Sequence, residues 1–145
     1  MSGDFRKGWE AYDKEDYVTA LSEWKPLAEQ GNAAAQTSLA FLYDYGQGVP
    51  QNYKTAVTWY TLAAEQGDST AQYNLGFMHA EGHGVIQDSV HAHMWWNIAA
   101  SQGNEDARKN RDSITEQMTP PQLEKAQSLA RQYMLKTKKK LNRDP

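Results

Sequence analysis

The chain has no cysteine in its 145 residues. That excludes disulfide staples, thiol nucleophiles and thiolate metal centres, and it leaves the redox compartment open. No run of about 18 apolar residues is present, so no helical membrane span or membrane insertion is expected. The opening stretch MSGDFRKGWEAY lacks the apolar core of a signal peptide. It starts almost directly on a structured motif, as a mature or a trimmed chain would, so the missing leader leaves export open. Also missing are the phosphate-cradling G-x-x-x-x-G-K-[ST] loop, the dinucleotide pattern G-x-G-x-x-G and the zinc-protease pattern H-E-x-x-H. Neither a cofactor nor a metal is expected.

Charge of one sign is scarce in each part of the chain. The formal net charge is −3. Residues 1–104 carry 12 acidic and 5 basic side chains, while residues 105–145 carry 6 acidic and 10 basic. The basic excess lies largely in the tail KTKKKLNR, expected to be a solvated helix end. Without an accompanying apolar face rich in Trp or Phe, it points to neither nucleic acid nor an anionic membrane.

What the chain does have is repetition. Shifted by 36 residues, EQGNAAAQTSLAFLYDYGQGVPQNYKTAVTWYTLAA overlies EQGDSTAQYNLGFMHAEGHGVIQDSVHAHMWWNIAA without a gap. Gly31, Gly67 and Gly103 coincide, as do Ala35, Ala71 and Ala107, and Trp24, Tyr60 and Trp96. Recurrence at this period with an internal spacing of three to four marks a helical solenoid. In each unit GQGV or GHGV stops a first helix and a second follows, with Ala56, Trp59, Tyr60, Ala63 and Ala64 as its inner stripe. The expected fold is all-α: a superhelical solenoid of antiparallel pairs, about eight helices in all. A single domain, 1–145, divides into an N-terminal capping hairpin (1–32), repeats at 33–68 and 69–104, and C-terminal capping helices with the basic tail (105–145). Asp68 or Ser69 is placed to cap the following helix. Thr119 is the expected N-cap of the last one, with Pro120 at its first position. In the first unit the turn DKED stands where the others have the glycine loop.

The pattern A-x-A-Q-x-x-L-[AG]-x-x-[YH]-x-x-G-x-G-V…A-x-x-W-[YW]-x-x-A-A-x-Q-G resembles the Sel1-like repeat, a relative of the tetratricopeptide repeat. Ala33–Gly67 and Ser69–Gly103 match it nearly throughout, and the closing segment resembles that of short bacterial members. The resemblance implies a right-handed α/α solenoid that works as a non-catalytic adaptor and binds a protein or peptide partner on its concave face. It implies export in many bacterial members, so a periplasmic or exported location, with the cytoplasm as the alternative. A cysteine-rich subgroup is linked to β-lactam binding, but this chain lacks the cysteine pair that staples each repeat there.

All four histidines, His79, His83, His91 and His93, fall in HAEGHGVIQDSVHAHMWW. Residues two apart on a helix point in nearly opposite directions, so His91 and His93 cannot share a metal. Gly82 interrupts the helix between His79 and His83. Scattered scaffold positions account for the cluster, the alternative being a site built from His83 and a second-helix histidine. Ser22-Glu-Trp-Lys25 fits S-x-x-K, the nucleophile pattern of penicillin-binding enzymes, but S-D-N and K-T-G partners are absent.

The stronger candidate surface is the face lined by the first helices. Phe5, Phe41 and Phe77, spaced by 36, form a ladder there, with Thr37 and Tyr73 one turn before. Asp44, Tyr45 and Glu81 follow one turn after, and Trp9 is placed as the equivalent of Tyr45. An aromatic ladder edged by Asp44 and Glu81 suits a peptide with apolar anchors and basic residues. In the competing account the phenylalanines simply pack between hairpins. The alternatives to an adaptor are a β-lactam-related or metal-dependent hydrolase and a periplasmic assembly or chaperone factor. A monomer is the expected oligomeric state.

Overall fold

The structure, a computed structural model, describes residues 2–143, with the side chains of Leu141 and Arg143 left aside. The outermost residues of the expected 1–145 unit therefore lie outside the described residues. Eight helices follow one another: α1 (Phe5–Asp13), α2 (Tyr17–Glu29), α3 (Ala33–Tyr45), α4 (Tyr53–Glu65), α5 (Ser69–Glu81), α6 (Ser89–Ser101), α7 (Glu105–Thr115) and α8 (Pro120–Arg143). The first three pairs, α1 with α2, α3 with α4 and α5 with α6, pack as hairpins, and the hairpins stack into the right-handed α/α solenoid that the resemblance implies. Each of the first seven helices begins on a short polar side chain: Asp4, Asp16, Asn32, Asn52, Asp68, Asp88 or Asn104. Each accepts a hydrogen bond from a first-turn N–H and so satisfies a backbone donor that has no intrahelical partner. Asp68, rather than Ser69, caps α5. At α8, Thr119 and Gln122 exchange backbone–side-chain bonds as a capping box, with Pro120 opening the helix.

Each hairpin closes on one small residue of its first helix set against one large aromatic of its second. A Cβ added to Gly76 would lie 2.4 Å from the Trp96 indole nitrogen, and one on Gly8 would lie 2.0 Å from that of Trp24. Both tryptophans also donate Nε1–H to first-helix carbonyls, Trp96 to Tyr73 at 3.0 Å and Trp24 to Phe5 at 3.1 Å. The middle unit has Ala40 in the small position and the narrower Tyr60 in the large one, both fully buried. Gly with Trp and Ala with Tyr are matched pairs, as close packing of the interior requires.

These contacts reset the register of the first unit. Second helices keep the 36-residue spacing, starting at Tyr17, Tyr53 and Ser89. First helices end at Asp13, Tyr45 and Glu81, so α1 stands 32 residues before α3. The turn between α1 and α2 spans residues 14–16 where its counterpart spans 46–52, and the difference of four is one helical turn. Gly8 therefore corresponds to Ala40 and Gly76, and Trp9 to Phe41 and Phe77. The ladder expected from Phe5, Phe41 and Phe77 is in fact Trp9, Phe41 and Phe77. Each of the three meets its own second-helix aromatic edge-on: Trp9–Trp24 at 5.0 Å, Phe41–Tyr60 at 6.0 Å and Phe77–Trp96 at 5.6 Å. Phe5 takes the place of Thr37 and Tyr73, and Trp9 is not the equivalent of Tyr45.

Hairpins are joined to one another by buried glutamines. Gln36 donates its amide to the Ala28 carbonyl near the end of α2 and accepts from Gln66. Gln72 does the same with Ala64 and Gln102. Each adds a side-chain donor to a helix-end carbonyl that also accepts the N–H of the following turn glycine, Gly31 or Gly67. The glycine loops add a second joint. Gly84 (φ 76°) lies so close to the preceding unit that a Cβ would meet the Tyr53 carbonyl at 2.6 Å, and Gly48 meets Tyr17 in the same manner.

The C-terminal pair departs from the pattern. Helix α8 packs on α6, and its Tyr133 hydroxyl reaches back to donate to the Ala64 carbonyl at the end of α4. Ala126 and Ala130 are fully buried, with Tyr133 edge-on to Trp95 at 5.1 Å.

The matched pairs yield a direct test. Gly76→Ala alone is expected to lower stability by about 2 kcal/mol, because the indole it meets is already packed. Adding Trp96→Tyr, which copies the Ala40–Tyr60 pair, is expected to recover at least half of that loss. Urea unfolding followed by circular dichroism measures both, and a double variant no better than the sum of the singles refutes the pairing.

Candidate functional site

Where α3 and α5 end, the first-helix face opens into a cleft of about 500 Å³. Asp44, Tyr45, Tyr73, Phe77 and Glu81 line it, together with Gln51, Tyr53, Asn74, Met78 and His83. A second cleft, of about 310 Å³, lies toward α7 and shares Phe77 and Glu81 with the first. Its other walls include Trp96, Asn110, Ser113 and Gln117. Phe77 and Glu81 thus stand between two clefts that together touch three successive first helices.

The structure sorts the residues expected on this face. Tyr45, at 60% exposure, and Phe77, at 39%, are the large apolar surfaces it leaves open to solvent here. Tyr73 packs beside Phe77 with ring centroids 5.3 Å apart, and Glu81 is exposed at the end of α5. Phe41 is half-buried, stacked on Tyr45 and edge-on to Tyr60, so it supports the groove from beneath. Two expectations are corrected. Thr37 is 4% exposed and returns its hydroxyl to the Ala33 carbonyl, so it belongs to the interior. Phe5 and Trp9 pack around Trp24 in the first hairpin and do not line the cleft.

The sequence reading missed Tyr53 and His83, which lie face to face with ring centroids 4.4 Å apart and planes 8° from parallel. The signal for this pair was present: the glycine loop that carries His83 is the one that docks on Tyr53.

Asp44 is the electrostatic centre of the cleft. Burial pushes its carboxyl above the ordinary value, against the opposing pull of the Tyr60 hydrogen bond and of His83. The Tyr60 hydroxyl donates to Asp44 Oδ2 at 2.9 Å, and Gln51 donates to the Asp44 carbonyl at 2.7 Å. Burial and the adjacent carboxylate together hold the Tyr60 phenol well above its usual range, so it stays a donor at every physiological pH.

Comparison with known proteins agrees with this architecture. The family model described as the Sel1 repeat matches residues 33–68 and again residues 69–104. The chain belongs to the Sel1-like repeat family. Among solved structures it is similar to c5321, a protective antigen of uropathogenic Escherichia coli strains displaying an SLR fold. There the TM-score is 0.86 at 32% identity over 90% of this chain. It is also similar to a Sel1 repeat protein from Oxalobacter formigenes, with a TM-score of 0.74 at 36% identity over 77% of this chain. The chain spans 29% and 46% of the lengths of those two proteins. No curated protein matches it. Sel1 repeats are typically protein-interaction scaffolds, and the fold is typically non-catalytic.

The remaining chemistry of this Sel1-like repeat protein sits apart from the groove. Ser22 gives its hydroxyl to the Thr19 carbonyl on the exposed side of α2. Among the described residues no group of three or more His, Asp or Glu is placed to hold a metal ion. The histidine pair that meets is His79 with His91, rings stacked at 5.3 Å, rather than His83 with a second-helix histidine. His91 Nδ1 lies 2.6 Å from Asp88 Oδ2. His79 and His93 have buried Nδ1 atoms without a hydrogen-bond partner, and His93 is only 2% exposed.

Burial lowers the pKa of both His79 and His93. The neighbouring His91 adds to the shift at His79 and Arg111 adds to it at His93, while Asp88 and Asp112 partly offset them. The unfolded chain therefore binds more protons than the folded one once pH drops below the ordinary histidine value of 6.5. Stability is expected to be full above that value and to fall as pH drops through it toward 5. Asp88, lowered from 3.8, acts only at more acidic pH. Replacing His79→Tyr and His93→Val, the residues at the matching positions Tyr43 and Val57, is expected to flatten this slope. Thermal melts at pH 8, 6.5 and 5 provide the check, and equal slopes in both proteins would rule out the buried histidines as its source.

Proposed function

We propose that the chain is a scaffold whose first-helix groove, on the concave side of the solenoid, binds a segment of a partner protein. The observation that carries this reading is the arrangement of Tyr45, Tyr73 and Phe77 around one cleft. These are large rings on rigid helices, Tyr45 and Phe77 open to solvent and Tyr73 partly so, where the matching aromatics of the second helices are buried. Rigid aromatic side chains lose little conformational freedom on binding and are enriched among the residues that dominate interface energies. The groove exists before any partner arrives, so its ordering cost has been met during folding. Tyr45 and Tyr73 are contact residues on this reading, with Asp44 and Glu81 at the rim. Phe77 is both contact and support, since it also packs on Trp96.

The test starts from a random peptide display library selected on the wild-type protein, with affinities then measured by fluorescence anisotropy. Tyr45→Ala combined with Tyr73→Ala is expected to weaken the selected peptides at least about tenfold. Leu62→Ala, at an exposed position on α4, is expected to leave them unchanged. Circular dichroism verifies that both variants keep their helicity. Peptides that bind the double tyrosine variant as tightly as wild type would place the interaction elsewhere and remove the groove from consideration.

A further inference from the structure

The wall of the 500 Å³ cleft has a charge imbalance that the scaffold does not resolve. Asp44 and Glu81 both line it, whereas its lining holds no lysine or arginine and His83 is its one basic side chain. Tyr60 engages Asp44 Oδ2, which fixes the carboxylate, while Oδ1 accepts no hydrogen bond among the described residues. Around the two acids stand the rings of Tyr45, Tyr73 and Phe77. A half-buried carboxylate among aromatic faces is chemically suited to a cation, which ring quadrupoles attract and which replaces the hydration the acid has lost.

Within the reading of this face as a partner groove, we propose that the cleft is an arginine subsite. It takes the guanidinium of an exposed arginine in the partner segment, set against Asp44 and Glu81 and stacked on the tyrosine rings. Arginine fits better than lysine because its planar fork presents paired donors to a carboxylate while its face lies on an aromatic ring. A compact ammonium is more strongly hydrated and has no face to stack. Burial raises the pKa of Asp44, so its carboxylate has lost part of its hydration, which a bound cation would replace. The acidic balance of residues 1–104, 12 acidic against 5 basic side chains, further favours a basic partner segment.

The test needs no natural partner. The blocked pentapeptide Gly-Gly-Arg-Gly-Gly is titrated into the ¹⁵N-labelled chain and followed by amide chemical shifts, beside versions carrying lysine or the neutral isostere citrulline. The arginine peptide is expected to saturate in the range of about 1–10 mM, with shifts centred on Tyr45, Tyr73, Phe77 and Glu81. Citrulline is expected to bind at least about tenfold more weakly, as loss of a charge-assisted pair requires, and lysine is expected to fall between. Asp44→Asn and Glu81→Gln should each weaken the arginine peptide. Glu81 is exposed at a helix end, so its variant keeps the test valid if Asp44→Asn disturbs Tyr60. Citrulline binding equal to arginine, lysine binding equal to arginine, shifts centred on another face, or no saturation overturns the subsite. The two proposals separate cleanly. Display-selected peptides that need Tyr45 and Tyr73 but tolerate citrulline in place of arginine would leave the groove standing and the arginine subsite refuted.

Discussion

The contact of one small first-helix residue with one large second-helix aromatic sets the geometry of the whole chain. It decides how near the two helices of a hairpin approach, and hence where the next turn must begin. Gly8 with Trp24, Ala40 with Tyr60 and Gly76 with Trp96 are three solutions of one steric equation, in which volume lost on one helix is taken up on the other. The position next to each small residue then points to the outer edge of the same contact. That is where Trp9, Phe41 and Phe77 lie, each edge-on to its own partner aromatic. The groove is thus a by-product of hairpin closure, with its aromatic floor placed by the same residues that hold the helices together.

Most of the scaffold was legible from spacing alone. Gap-free recurrence at 36 residues, the caps at Asp68 and Thr119 and the inner stripe of α4 all translate directly into the helices and their buried faces. The first unit was not legible in the same way. A uniform shift aligned Phe5 with Phe41, although the turn DKED looks shorter than the glycine loop it replaces. The four-residue difference slides α1 by one helical turn, as the helix ends and the Gly8–Trp24 contact show. Thr37 was misplaced for a related reason. Its matching position holds Tyr73, but a small hydroxyl that bonds its own helix backbone is drawn inward where a tyrosine ring cannot be. The path of α8 could not be read either, since its stripe of Leu123, Ala126, Ala130 and Met134 says which side is buried and not against what.

Polar groups divide the labour among the faces of the stack. Gln36 and Gln72 are spent entirely inside, where each joins two hairpins through a helix-end carbonyl and a glutamine of the next turn. Asp44 stands at the border, one oxygen committed to the interior through Tyr60. Glu81 is wholly outside. The cleft thus holds one acid fixed by a hydrogen bond from the interior and one that is exposed at a helix end. The histidines belong to a different economy: His79 and His93 are shielded and neutral, away from the surface where a partner would compete for them.

A stack of hairpins bonded only to nearest neighbours behaves as a linear array, in which the last unit can peel away without disturbing the rest. Helix α8 changes that topology. Its Tyr133 hydroxyl spans 69 positions of sequence to reach the Ala64 carbonyl, the same oxygen that receives Gln72. One carbonyl at the end of α4 therefore registers both the joint between two repeats and the docking of the terminal helix. The chain end is thereby tied to the middle of the array, and contact order, usually low in helical repeats, rises at the terminal helix.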